Sequence, residues 1–275
     1  MLTDYHVHLR PDDGDATPER FFTPANASRY REAAAARGIE ALGVSEHVHR
    51  FRQALDVWTH PFWRESAVDD LDAYAAFVRE QTDLRLGIEA DWLPGREDRM
   101  RELLGAHEWD YVIGSIHFLS DGAVDMEGEH DVWRSGDPDE VWARYFDELG
   151  AAARSGLFDI LAHPDLVKVW GDRRPAPAGD LRRFYDRAME GIAGSDVAIE
   201  VSTAGLRKPV EEIYPAPELL AMCLEAGRPV VLSSDAHVPE HFGDRYGDAV
   251  AMLRSLGVEE IAVFEGRRCR LEPLG

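Results

Sequence analysis

Seven short apolar runs recur along this chain, each followed by a longer amphipathic stretch, and that alternation leaves few folds open. The runs span residues 4–8, 41–45, 84–89, 111–116, 158–162, 197–202 and 229–233, and most are rich in Val, Ile or Leu. Continuous apolar runs of this length are expected of strands covered on both faces, as in a parallel sheet. Helices are expected between them. An Ala-rich one over 27–37 is stopped by Gly38, and others follow over 68–81 and 97–107. A longer one runs to 156, with Asp137 as N-cap and Pro138 in its first turn, and 179–194, 217–225 and 244–256 complete the set. A last strand is expected over 260–264. Repeated βα units without a composition break, linker or internal repeat predict a single α/β domain over 1–275. The excursions 50–66 and 120–136, which carry Trp58, Trp63 and Trp133, are expected to be loops draped over one face.

Seven βα units can form an open doubly wound sheet or a closed barrel. No Gly-rich phosphate fingerprint follows any strand, which weakens the dinucleotide-binding option. A parallel barrel gathers its functional residues at the C-terminal strand ends, and here those ends are chemically uniform. The first run ends His6-Val7-His8; the second Ser45-Glu46-His47; the third Glu89-Ala90-Asp91; the fourth Ser115-Ile116-His117; the fifth His163-Pro164-Asp165; the seventh Asp235-Ala236-His237. Strand side chains alternate faces, so His6 and His8 point into the same space. A single histidine at a strand end is usually structural, but six of the seven ends carrying His or a carboxylate is not required by any scaffold. Imidazole plus carboxylate is the ligand mix for Zn²⁺, Mn²⁺ or Fe. His6, His8, His47, Glu89, His117, His163, Asp235 and His237, with the acidic loop Asp12-Asp13-Gly14-Asp15, exceed what one ion needs and suit two or three.

Composition narrows the function further. Hydrophobic residues make up 45% of the chain, too many for a disordered one. The formal net charge of −22, with no local basic stripe, argues against nucleic-acid binding. Two cysteines cannot form a disulfide framework, and both Cys223 and Cys269 are expected to be plain core thiols. The opening Met1-Leu2-Thr3-Asp4-Tyr5-His6 lacks a leader's basic and apolar regions, and no run is long enough to span a membrane, so a cytoplasmic protein without membrane contact is expected.

In this order the motifs resemble the PHP (polymerase and histidinol phosphatase) superfamily, and most of all its monofunctional histidinol-phosphate phosphatases. The matching stretches are Asp4–His8, Ser45–His47, Gly87–Asp91, Asp110–His117, His163–Leu166, Thr203–Arg207, Tyr214–Pro217 and Ser234–His237, almost the whole length of the chain. The resemblance implies a distorted (β/α)₇ barrel with a trinuclear metal site at the C-terminal strand ends. It implies one metal on His6, His8, Glu89 and Asp235, a second sharing Glu89 with His117 and His163, and a third on His47, His237 and a first-loop residue. Many relatives carry a His in that loop; here Asp13 takes its place, with Asp15 as the alternative. Arg207 and Lys168 match the family's phosphate clamp, with the loop at Arg50–Arg52 in reserve. Glu46 and Asp91 would orient metal-bound imidazoles by accepting the second ring N–H. His49 and His241 are expected at the rim, and His60, His107 and His130 on the surface.

The implied activity is hydrolysis of a small phosphomonoester, L-histidinol phosphate foremost, by a metal-bridged hydroxide attacking phosphorus in line, as a step of histidine biosynthesis. Three divalent ions would outweigh the three carboxylates that hold them, so a phosphate dianion can be bound by an acidic protein. Metal identity and oligomeric state stay open. Three other readings are weighed. Another PHP phosphoesterase acting on a different phosphomonoester or nucleotide would share the metal motifs. An amidohydrolase would bridge its metals with a Lys at strand four, where this chain has His117. A non-enzymatic PHP module would have lost ligands, and here only the first-loop His is missing.

Overall fold

The computed structural model describes residues 1–12, 16–134 and 136–275. In chain order the strands are β1 (Thr3–Asp4), β2 (Ala41–His47), β3 (Arg85–Asp91), β4 (Tyr111–Ser115), β5 (Phe118–Leu119), β6 (Gly122–Ala123), β7 (Ile160–Leu161), β8 (Ala198–Ser202), β9 (Val230–Ser233), β10 (Glu260–Glu265) and β11 (Arg268–Pro273). The helices are α1 (Pro18–Phe21), α2 (Pro24–Ala36), α3 (Pro61–Ser66), α4 (Leu71–Gln81), α5 (Glu97–Leu104), α6 (Pro138–Arg154), α7 (Arg182–Ala193), α8 (Pro217–Glu225) and α9 (Tyr246–Ser255). Seven strands pair in the order β1-β2-β3-β4-β7-β8-β9, and every pairing is parallel.

The two edges of this sheet meet, but not through a regular ladder. One parallel bridge joins Val7 to Ala236, and His8 N–H donates to Ala236 O at 2.8 Å. Side chains finish the seam: Thr3 Oγ1 donates to Leu232 O at 3.0 Å, and Ser234 N–H donates to Asp4 Oδ1 at 3.0 Å. The expected (β/α)₇ barrel is thus formed, with β1 shorter than the 4–8 run.

Alternation decides what the interior holds. Tyr111, Ile113, Ile160, Ala198 and Val231 fill the lower half of the barrel with Tyr5 and Phe264. Tyr111 donates its hydroxyl to Tyr5 O at 2.7 Å, and its ring lies where a Cβ on Gly43 or Gly87 would come within 2.3 Å. Only glycine leaves that volume free. The β10–β11 hairpin, antiparallel throughout, plugs the N-terminal end, with Phe264 N–H donating to the Tyr5 hydroxyl at 3.1 Å. With the floor packed by apolar groups, the open end is the C-terminal one.

Helices cover the outside as their patterns predict. α6 begins with Asp137 accepting from Asp139 N–H at 2.8 Å and buries Val141, Trp142, Tyr145, Phe146 and Leu149. Its Gly150 meets α7 at Gly191, where an added Cβ would lie 2.0 Å from the Gly150 carbonyl oxygen, so two backbones are in direct contact.

The two excursions differ from the loops expected. Residues of the first fold into the short turns Val48–Arg50 and Arg52–Asp56 and into α3, and Phe51 and Trp63 are fully buried. The second contains the β5–β6 hairpin and the turn Val132–Arg134. Apolar residues at irregular spacing carry no strand or helix period, so their burial was invisible in the sequence. His60, expected on the surface, is buried against the Trp58 ring at 4.4 Å. Cys223 is buried as expected, whereas Cys269 sits exposed on β11.

Candidate metal and phosphate site

The interior face of each strand continues above the packed floor as a cluster of imidazoles and carboxylates. On β2, His47 follows Ala41, Gly43 and Ser45 at period two; on β3, Glu89 and Asp91 follow Gly87. The register pairs His47 with Glu89, which puts both on one face side by side. His47 Nδ1 lies 2.5 Å from Glu89 Oε2, and His6 Nε2 lies 3.2 Å from the same oxygen. His117 Nε2 and His163 Nε2 each stand 3.4 Å from Glu89 Oε1. His8 Nε2 is 3.6 Å from Glu89 Oε2 and 3.5 Å from Asp235 Oδ1. The structure therefore brings all eight strand-end residues together, with Glu89 at the centre.

The atoms these groups turn toward one another are shielded from solvent and lack ordinary hydrogen-bond partners. His6 Nε2, His8 Nε2, His47 Nδ1, both Glu89 oxygens and Asp235 Oδ1 are without well-formed hydrogen bonds and shielded from solvent. Buried polar atoms are normally paired, and so many unpaired donor atoms facing one point fit a cation. Among the described residues, four triplets have one ligand atom per residue, all within 4.8 Å of one another: His6/His8/Asp235, His6/Glu89/His163, His47/Glu89/His117 and His8/His47/His237. His117 and His163, expected to share Glu89, both face its Oε1, and each also falls in a triplet with a further imidazole, His47 or His6. His163 has φ +25° and Asp235 φ +50°, unusual for residues with a Cβ; strain of this kind collects where a side chain must be aimed.

Charge is shared within the cluster. Burial pushes the His6 imidazole down, but Glu89, Glu200 and Asp235 outweigh it and raise it well above its ordinary value. Burial likewise disfavours charge on His117, and Glu89 and Asp91 overcome it, to about 10. Burial pushes Glu89 up, yet His47, His6 and His117 hold it well below the usual carboxylate range. His8 goes the other way, lowered by burial and by neighbouring His47 and His237.

Around the cluster stand the groups that aim it. His117 Nδ1–H donates to Asp91 Oδ1 at 2.8 Å. Glu46 is 4.0 Å from His8 Nδ1 and instead accepts from Leu9 N–H at 2.7 Å, Arg10 N–H at 3.2 Å and the Arg50 guanidinium. Glu200, on β8, was missed. Its Oε1 accepts from His6 Nδ1–H at 2.8 Å and its Oε2 from His163 N–H at 2.6 Å. The available signal was a carboxylate inside the apolar run 197–202, which cannot be solvated there and must meet a basic group.

Asp13 and Asp15 lie outside the described residues. Their neighbour Asp12 places Oδ2 3.1 Å from His237 Nε2, and its other oxygen pairs with Arg50. Arg50 is 2% exposed and also donates to Arg10 O at 2.6 Å. A cavity of about 470 Å³ opens above the cluster, bounded by His47, His117, Arg10, Asp12, Phe62 and Phe118. His49 lies beneath its edge, stacked 4.7 Å from His47.

The two expected phosphate ligands differ in how they are partnered. Arg207 donates Nη2–H to Ser234 O at 2.5 Å and to Asp235 O at 3.3 Å, which ties it to the end of β9, while its buried Nη1 has no partner. Lys168 is held by Asp165 at 2.9 Å and Glu212 at 3.0 Å, and it lines a different cavity, of about 830 Å³. Its charge is compensated where that of the Arg207 fork is half free.

Among known proteins, the family model of the PHP domain matches residues 4–204. A Deinococcus radiodurans protein named "Probable histidinol-phosphatase" is 37% identical over 263 residues, covering 93% of this chain and 94% of that one. A Clostridium acetobutylicum protein of the same name is 25% identical over 207 residues, covering 73% and 79%. Among solved structures, the histidinol phosphate phosphatase of Lactococcus lactis, complexed with zinc, L-histidinol and phosphate, shares the fold at TM-score 0.70 and 18% identity over 98% of both chains. No helix among the described residues is long and apolar enough to cross a membrane. On the match over residues 4–204 and the full-length relative at 37% identity, this chain belongs to the PHP domain family.

Proposed function

We propose that this protein is a metal-dependent phosphomonoesterase that hydrolyses L-histidinol phosphate. The observation that carries the reading is the convergence of six imidazoles with Glu89 and Asp235 beside the half-free guanidinium of Arg207, in a chain 37% identical to a protein named for that activity. His6, His8 and Asp235 would hold one divalent ion. Glu89 would share further ions with His163, His117 and His47, and His237 with Asp12 would complete a third position. Zn, Fe and Mn all suit this donor set.

Bound divalent metal supplies hydroxide at neutral pH and offsets charge on phosphoryl oxygens. The chain's own residues do the rest. Glu200 and Asp91 keep the protons of His6 and His117 on Nδ1, so that each Nε2 presents a lone pair. Arg207, fixed by two β9-end carbonyls, aims its free edge at the oxygens that carry charge during transfer, where preorganised donors act most strongly. The test is phosphate release from a panel of phosphomonoesters that includes L-histidinol phosphate, with elemental analysis of the same sample. Two to three metal equivalents and a clear preference for histidinol phosphate are expected. Less than one equivalent after chelator-free purification, or turnover confined to other esters, would overturn the reading.

A further inference from the structure

Among the described residues that line the cavity above the cluster, Asp125 is a carboxylate with a shielded oxygen and no ion pair. Arg10 faces Asp69 at 2.9 Å, and Arg50 is paired with Glu46 and Asp12. Asp125 lines the same wall, its Oδ1 is buried without a hydrogen-bond partner, and no described cation forms an ion pair with it. Its backbone is firmly placed. The preceding carbonyl, of Val124, accepts from two indoles at once, Trp133 Nε1–H at 2.9 Å and Trp170 Nε1–H at 2.8 Å, and Val124 N–H donates to His117 O at 2.9 Å. Two tryptophans are thus spent on fixing one carbonyl next to a carboxylate that has no partner.

Asp125 is half-buried, yet its shielded oxygen lacks a hydrogen-bond partner, and a carboxylate there would repel a phosphate dianion. It becomes favourable when the substrate brings its own cation close to its phosphate. In L-histidinol phosphate the ammonium sits on the carbon next to the ester carbon, so it must lie beside the phosphate site. Phe62 and Phe118 bound the same cavity and offer apolar faces to the rest of the molecule. We infer that Asp125 receives the ammonium group of the substrate and so selects aminoalkyl phosphates over phosphomonoesters that lack the amine. The inference rests on the proposed phosphatase reading and assigns a specificity-determining residue within it.

The test compares kcat/KM of wild type and Asp125→Asn on L-histidinol phosphate and on its des-amino analogue, imidazolylpropyl phosphate, with the metal content of both preparations measured. Losing a charge-assisted contact should reduce the ratio of the two values about 10- to 100-fold, with metal content unchanged. A ratio that stays at its wild-type value overturns the inference, whether the rates hold or fall together. Loss of metal in the variant also overturns it, since Asp125 would then be holding the metal site. A wild type that turns over other phosphomonoesters but not histidinol phosphate refutes the phosphatase reading itself, a result distinct from either.

Discussion

Replacing Glu200 by Gln separates metal holding from mere packing in this site. Glu200 is fully buried and both its oxygens accept, one from His6 Nδ1–H at 2.8 Å and one from His163 N–H at 2.6 Å. Glutamine keeps the shape but offers one acceptor and one donor. If its NH₂ faces His163, two N–H groups oppose each other at hydrogen-bond distance. If it faces His6, the ring must accept at Nδ1 and carry its proton on Nε2, the atom 3.2 Å from Glu89 that is proposed to bind metal. Either arrangement weakens the site without touching a proposed ligand. Outer carboxylates of this kind are worth about 10- to 100-fold in metal affinity. At about 1.4 kcal/mol per tenfold, that is roughly 1.4–2.8 kcal/mol. Competition for zinc with a chromophoric chelator measures it directly, and circular dichroism confirms that the fold persists. Zinc affinity within about twofold of wild type would refute the argument that Glu200 sets the His6 tautomer.

Glu89→Gln removes the charge that lies between five imidazoles; it should lose at least one metal equivalent and most turnover, and full metal content with near wild-type rates would move the bridge elsewhere. Arg207→Ala should keep its metals and lose roughly 2–4 kcal/mol in kcat/KM, with Lys restoring only part because it lacks the fork; unchanged kinetics would reassign the phosphate contact. Trp63→Ala, at a fully buried side chain in the first excursion, should cost about 3–5 kcal/mol by urea unfolding, and a loss below about 1 kcal/mol would mean that the segment packs loosely. Cys223, whose thiol burial pushes up to about 12, should resist a thiol reagent in the native protein while exposed Cys269 reacts; two native thiols counted at once would contradict that burial.

The paired charges around the cavity also explain how an acidic chain can receive a phosphate. The net charge of −22 describes the whole surface, but the pocket is governed by a few buried groups. Glu89 there is matched by imidazoles and Glu46 by Arg50, and Arg207 remains half free. With divalent ions added, the local potential would reverse sign.

Properties that depend on neighbours along the chain were legible in the sequence. Strand parity put His6 and His8 on one face, and Asp137 with Pro138 marked the start of α6. The strand-end residues named the groups that gather in one cluster, because a parallel barrel brings every C-terminal end to one rim. Properties that depend on register and closure were decided only by the tertiary structure. Glu200 meets His6 because β1 and β8 face the same interior across β9, 194 positions apart in sequence. The seam between β1 and β9 carries a single bridge supported by side chains, which no periodicity could disclose. Whether a cation is free or compensated also depends on which acids the fold brings near it: Asp165 and Glu212 occupy Lys168, and the end of β9 leaves one edge of Arg207 open. Residue type and local period determine which groups can do the chemistry; the packing of distant segments determines which of them are left with a bond to make.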